Sequence, residues 1–137
     1  MFERILLAVD GSEHSERTVP VAADLASRYG ATVTVLHVRE IQKRFGSDVD
    51  IDPEEESRTY VEGVVDRLRD LGVDARGEVR KVGAGQVPKE IVEVAESADA
   101  QLIVMGTRGR TEWQSLLVGG VAHKVLAHAS CPVLMVR

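Results

Sequence analysis

The residues best suited to chemistry lie after two apolar runs. Residues 102–105 read Leu-Ile-Val-Met and stop at Gly106-Thr107-Arg108-Gly109-Arg110, and Gly119-Gly120 follows. The spacing is Gly106-x2-Gly109-x9-Gly119-Gly120. Glycine lets the main chain turn with positive φ and brings N–H groups close to an anion with no Cβ in the way. Gly119 and Gly120 also precede an amphipathic stretch, so they would open a helix whose N-terminus favours negative charge. Arg108 and Arg110 add positive charge and a planar fork that fits a phosphate. At the other run, Ile5-Leu6-Leu7-Ala8-Val9 ends at Asp10, whose carboxylate could accept hydrogen bonds from sugar hydroxyls. A third run ends at Val38, whose main chain could pair with the edge of a base. The glycine pattern is neither Gly-x-Gly-x-x-Gly nor Gly-x4-Gly-Lys-Ser/Thr, so it fits neither the dinucleotide fingerprint nor the P-loop. On the glycines alone, an ordinary turn explains Gly106 and Gly109 better than a ligand loop does.

These residues need a scaffold that brings strand ends together. Short apolar runs alternate with amphipathic stretches. Residues 5–9, 33–38, 102–105 and 132–136 read as strands, and 73–82, alternating and charged, reads as an exposed edge strand. Helices are expected over 13–30, with Val19, Ala22, Ala23, Ala26 and Tyr29 inward and Gly30 as the C-cap, and over 53–71, with Val61, Val64, Val65, Leu68 and Leu71 inward. Asp52 reads as the N-cap of the second helix and Pro53 as its first residue. A third helix has Pro88 in its first turn and Ile91, Val94, Ala95 and Ala98 inward. A fourth follows Gly120, with Val121, Ala122, Val125, Leu126 and Ala129 on one side. Residues 39–53 read as a charged, irregular loop. The order β-α-β-α-β-α-β-α-β, with strands apolar on both faces, predicts an open parallel sheet covered by helices. In such a sheet ligands bind beyond the carboxyl ends of the strands, where the strand order reverses.

Composition narrows the function. The chain has 137 residues, which suits a single domain over 1–137, and 44% hydrophobic residues, enough for a core. Aromatics are only 4%, against a base-stacking platform for single strands. A formal charge of −5, from 22 acidic and 17 basic residues, disfavours non-specific nucleic-acid binding. The one cysteine, Cys131, excludes an internal disulfide and fits a reducing compartment. No signal peptide or membrane span is expected, so a cytoplasmic protein is. His14, His37, His123 and His128 form no ligand cluster, and His123 and His128, five apart, face different ways on a helix. No nucleophile–base pair or paired carboxylates stand out, so an enzyme is not expected.

The larger pattern resembles the universal stress protein family almost from end to end. The resemblance rests on residues 5–12 (Ile-Leu-Leu-Ala-Val-Asp-Gly-Ser), 35–38 (Val-Leu-His-Val), 100–109 (Ala-Gln-Leu-Ile-Val-Met-Gly-Thr-Arg-Gly), 119–126 (Gly-Gly-Val-Ala-His-Lys-Val-Leu) and 131–136 (Cys-Pro-Val-Leu-Met-Val). It implies a doubly wound five-stranded parallel sheet, order 3-2-1-4-5, with four helices, a Rossmann-like arrangement of the adenine nucleotide alpha hydrolase-like type. It also implies a homodimer. Carried over, Gly106, Gly109 and Gly119 fall at the phosphate-cradling glycines and Asp10 at the ribose carboxylate. Ala8, Val9, Val38 and Met105 fall at the base-pocket wall, and Val121 and Ala122 at the phosphate end. The implied ligand is ATP, or AMP or ADP, with Mg²⁺ reaching Asp10 through the nucleotide, and the implied role is stress sensing or regulation. Position 120 departs from the pattern: it is Gly where the ATP-binding branch has Ser or Thr, so a hydroxyl for the terminal phosphate is lost. Glu112 and Trp113 also replace small residues. The rival readings are a family member that works through protein contacts without a nucleotide and, more remotely, an ATP-dependent enzyme. Strand 133–136 (Val-Leu-Met-Val) would lie at a sheet edge, and a bare apolar edge invites pairing with its own copy.

Overall fold

A computed structural model describes residues 1–50, 53–107 and 120–137, and the side chains of all of these except 42–44 and 48–50. The elements are β1 (Arg4–Ala8), α1 (Glu13–Glu16), α2 (Thr18–Tyr29), β2 (Thr32–Arg44), β3 (Ser47–Asp50), α3 (Glu54–Asp70), β4 (Asp74–Gly83), α4 (Val87–Ser97), β5 (Leu102–Gly106), α5 (Gly120–His128) and β6 (Val133–Val136). The parallel strands lie in the order β4-β2-β1-β5-β6, the predicted 3-2-1-4-5. The chain first builds from β1 towards β4, then returns to the other side of β1 to lay down β5 and β6. The strand order therefore reverses between β1 and β5.

Both faces of the sheet are covered, as the apolar runs require. Leu6 and Leu7 are neighbours pointing to opposite faces, and each is 0% exposed. Leu7, Val33 and Val35 pack with Ala22, Ala26, Val61, Val64 and Leu68 of α2 and α3. Leu6, Leu36, Ile103 and Met105 pack with Ile91, Val94, Ala122 and Val125 of α4 and α5. Each fully buried aliphatic side chain contributes about 1.5–3 kcal/mol. The outer strand β4 stays largely exposed, as its charges predict.

Four local expectations change. Residues 39–50 are not an irregular loop: β2 continues to Arg44 and pairs antiparallel with β3, Lys43 opposite Asp48. Phe45 and Gly46, both with positive φ (53° and 77°), supply the two-residue turn whose twist suits a hairpin. The helix expected over 13–30 is divided at Arg17 into the single turn α1 and the longer α2. Pro53 occupies the N-cap position, just ahead of α3, and Asp52 lies outside the described residues. Tyr29, Leu71 and Leu126, expected inward, are 45%, 62% and 52% exposed. Tyr29 meets the Phe2 ring edge-on at 5.3 Å, and Leu71 has already passed the last turn of α3. The helix-ending glycines behave as expected: Gly30 and Gly72 have φ of 62° and 82°.

Gly77 lets α3 lie close against β4. A Cβ there would stand 2.5 Å from Val61 Cγ1 and 3.3 Å from Val65 Cγ2. Both neighbours are β-branched and give little. Gly77→Ala is therefore expected to lower unfolding stability by about 1–3 kcal/mol. Urea denaturation checks this, and a cycle with Val61→Ala should show favourable coupling between the two small residues.

Candidate functional site

The site is built from the strand ends at the point where the strand order reverses. β1 stops at Ala8, and the chain leaves the sheet through Val9-Asp10-Gly11-Ser12. Gly11 takes a φ of 81°, which closes this turn. Asp10 Oδ1 accepts the N–H of Ser12 at 2.9 Å, an Asx turn. Ser12 then caps α1, its Oγ accepting the N–H of Ser15 at 3.1 Å. Buried Ser15 in turn accepts the N–H of Asp10 at 2.9 Å. The Asp10 carboxylate thus keeps one oxygen in its own turn.

β2 runs on past the end of β1. The N–H of Val9 donates to the carbonyl of Leu36 at 2.9 Å, so Leu36 turns its main-chain groups towards β1. Main-chain groups alternate in direction along a strand. Val38, two residues on, therefore points its N–H and carbonyl into the space that β1 has vacated. His37, 5% exposed, lies between them and places Nδ1 2.8 Å from the carbonyl oxygen of Val9.

β5 ends at Gly106, against which the α1 turn packs tightly. A Cβ on Gly106 would lie 3.2 Å from the carbonyl carbon and oxygen of His14, so glycine here permits the close approach of α1. Thr107 N–H donates to the carbonyl of Val136 at 3.1 Å, tying the start of the glycine loop to β6. α5 begins at Gly120, as expected.

Together these ends line a cleft that opens to solvent. Of the residues singled out from the sequence, Ala8, Val9, Asp10, Val38, Met105, Gly106, Val121 and Ala122 line it. Gly120 stands one residue before this wall, at the start of α5. Arg108, Gly109, Arg110, Glu112, Trp113 and Gly119 lie outside the described residues. The sequence reading missed Ser15, Leu36, His37, Val87, Ile91 and Thr107 as lining residues. Leu36 and His37 sit within the quoted strand, and a two-residue period from Val38 would have marked Leu36. Ser15, Val87 and Ile91 reach the cleft only through the packing of α1 and α4.

The lining is mostly apolar, and Asp10, Ser15, His37 and Thr107 are the polar side chains among the described lining residues. Asp10 is the one carboxylate among the described lining residues, so a divalent cation would need phosphate oxygens to complete its ligands. Among the described residues no group of three or more His, Cys, Asp or Glu could hold a metal. Cys131 is partly buried, which pushes its thiol up and away from reactivity. No helix among the described residues is long and apolar enough to cross a membrane.

Behind Asp10, the α1 turn is tied to α3. Glu16 accepts the Tyr60 hydroxyl at 2.5 Å on one carboxylate oxygen and Arg67 at 2.8 Å on the other. Burial, then the charged Glu16, push the Tyr60 hydroxyl above its ordinary value, while a hydrogen bond with Ser15 acts the other way. The hydrogen bond from Arg67 is the main cause that holds the Glu16 carboxyl below its usual range, against the opposing effect of burial.

This arrangement defines an open parallel α/β protein with a largely apolar cleft where the strand order reverses. The sequence profile of the universal stress protein family matches residues 1–137, and the chain belongs to that family. A universal stress protein of Thermus aquaticus is 33% identical over 147 aligned residues, covering 100% of both chains. The structure of a universal stress protein from Archaeoglobus fulgidus is 28% identical, covers 100% of both chains and superposes with a TM-score of 0.79. A universal stress protein from the same organism, in complex with dAMP, is 25% identical with a TM-score of 0.75, covering 100% of this chain and 98% of that one. The fold is accordingly of the adenine nucleotide alpha hydrolase-like type.

The Glu16 bridge carries a pH signature. Its carboxyl is lowered in the folded state, so its contribution is present above the unfolded value, about 4.3, and is lost as pH falls through the lower folded value. Both partners are substantially exposed, which keeps the effect small. Glu16→Gln should therefore lower stability at pH 7, and the gap to the parent should close below about pH 4. Urea midpoints measured from pH 7 down to pH 3 check this.

Proposed function

We propose that this chain binds an adenine nucleotide in the cleft at the carboxyl ends of β1, β2 and β5, and acts in the stress response as a nucleotide-dependent regulator. The observation that carries the reading is the pairing of two recognition elements across an apolar slot. Val38 offers a main-chain N–H and carbonyl, an edge that fits the donor–acceptor edge of a base. Asp10 offers a carboxylate on the side where a ribose would follow. The apolar walls from Ala8, Leu36, Ile91 and Met105 suit a flat ring. The dAMP complex of the Archaeoglobus fulgidus relative supports the same ligand class.

The phosphates would then run towards Gly106 and the start of α5, where main-chain N–H groups favour an anion. ATP is the proposed nucleotide, with AMP and ADP as the shorter alternatives, and Mg²⁺ would arrive with the phosphates. The bound nucleotide is read as a signal and not as a substrate. The protein is proposed to be cytoplasmic. It is also proposed to be a homodimer through β6, an apolar edge strand on which Leu134 is 37% exposed. Pairing there would cover the open main-chain edge.

Isothermal titration with AMP, ADP and ATP, together with adenine absorbance released on denaturing the purified protein, tests the nucleotide. Heat with at least one of them is expected. Absence of heat with all three removes the reading in favour of protein contacts alone. Gly120→Ser restores a hydroxyl at the phosphate end and should tighten ATP about tenfold. An unchanged affinity in a variant that still binds ATP would put the phosphates elsewhere. Light scattering at micromolar concentration should give twice the chain mass, and a particle of single-chain mass would remove the β6 pairing.

A further inference from the structure

The peptide unit that joins Val9 to Asp10 is held at both ends by buried side chains from different elements. Its carbonyl faces His37 Nδ1 at 2.8 Å, from β2. Its N–H donates to Ser15 Oγ at 2.9 Å, from α1. Ser15 and His37 are 3% and 5% exposed, and both line the cleft. A carbonyl can only accept, so the ring must carry its proton on Nδ1 to make this bond. A planar peptide fixed at its oxygen and its hydrogen cannot rotate, and the next atom along the chain is the Cα of Asp10. The remaining freedom of that residue is reduced further by the bond from Ser12 N–H to Oδ1.

We infer that His37 and Ser15 are positioning residues for Asp10: by gripping the two ends of the Val9–Asp10 peptide they aim its carboxylate and so set selectivity for a ligand with free ribose hydroxyls. This rests on the adenine-nucleotide reading of the cleft. The grip has a second consequence. The carbonyl of Val9 is spent on His37 and its N–H on Leu36, so Val9 offers the ligand only an apolar wall. Base recognition is left to Val38, and sugar recognition to Asp10.

The test compares affinities for AMP and 2′,3′-dideoxy-AMP, by titration, across the parent and four variants. A hydrogen bond to a charged acceptor is worth about tenfold in affinity. The parent should therefore prefer AMP about tenfold or more, and Asp10→Ala should abolish the preference. His37→Phe keeps a ring but loses the N–H, and should bring the ratio of the two affinities close to one. Ser15→Ala should lower the ratio in the same direction. His37→Asn, whose side-chain amide nitrogen takes the place of Nδ1, should restore it. A merely structural role would lower both affinities together and leave the ratio unchanged. Parent-like ratios in both His37→Phe and Ser15→Ala would overturn the inference. Should His37→Phe fail to fold, the ¹⁵N spectrum of the parent decides: a proton on Nδ1 supports the grip, and a proton on Nε2 alone overturns it. A parent that binds neither nucleotide overturns the adenine reading itself, a result distinct from binding without discrimination by Asp10.

Discussion

The whole site depends on a mismatch of strand lengths at the centre of the sheet. β1 stops at Ala8, whereas its neighbour β2 continues to Arg44. A sheet whose central strands ended together would close its carboxyl edge with side chains from the following loops. Here the early exit of β1 leaves the inner edge of β2 without a strand partner at Val38, and the helices on one face leave an apolar slot beside it. On the far side, the absence of a Cβ at Gly106 lets the α1 turn approach the end of β5. The cleft is therefore a product of where strands stop, and its walls are simply the core continued to the surface.

That origin explains what the sequence could and could not reveal. The apolar runs at 5–9, 33–38, 102–105 and 132–136 are strong because a parallel strand is buried on both faces. Strand identity was legible from them, whereas the strand order, and with it the reversal point, came from the resemblance to the universal stress protein family. The wall residues Ala8, Val9, Val38 and Met105 came from the family resemblance, and of these only Val38 was also marked by its place at the end of an apolar run. The residues that packing alone brings in, Ser15 on α1 and Val87 and Ile91 on α4, carry no local mark of facing a ligand. Ile91 was expected inward, but the core and the cleft share one apolar face, and periodicity does not separate them.

The hairpin misled for a different reason. Charged residues at 43, 44, 48 and 50 hide the alternation that marks a strand. Its turn is Phe45-Gly46, and Phe45 adopts positive φ although asparagine, aspartate or glycine usually fills that place. Tyr29, Leu71 and Leu126 failed in a simpler way. They satisfy helical spacing but sit at or near a helix end, where the core has already fallen away. Exposure of a single apolar side chain is ordinary on a folded surface.

The hairpin also bears on the cleft. Ile41 pairs with Gly83 of β4 and with Asp50 of β3, and a strand residue has its two neighbours on opposite sides. β3 therefore lies on the same side of β2 as β1 does, beyond the end of β1. Sheet pairing along that edge of β2 stops at Leu36 and resumes at Ile41. The interval spans roughly 17 Å at about 3.3 Å per residue, and Val38 falls inside it. The interruption turns the main-chain groups of Val38 towards the cleft and not to a neighbouring strand. The hairpin thus frames the slot from the outer end, as the pinned Val9–Asp10 turn frames it from the inner end. The unpaired interval of this edge of β2 is kept short by main-chain geometry at both ends, independently of the charges that decorate the ribbon.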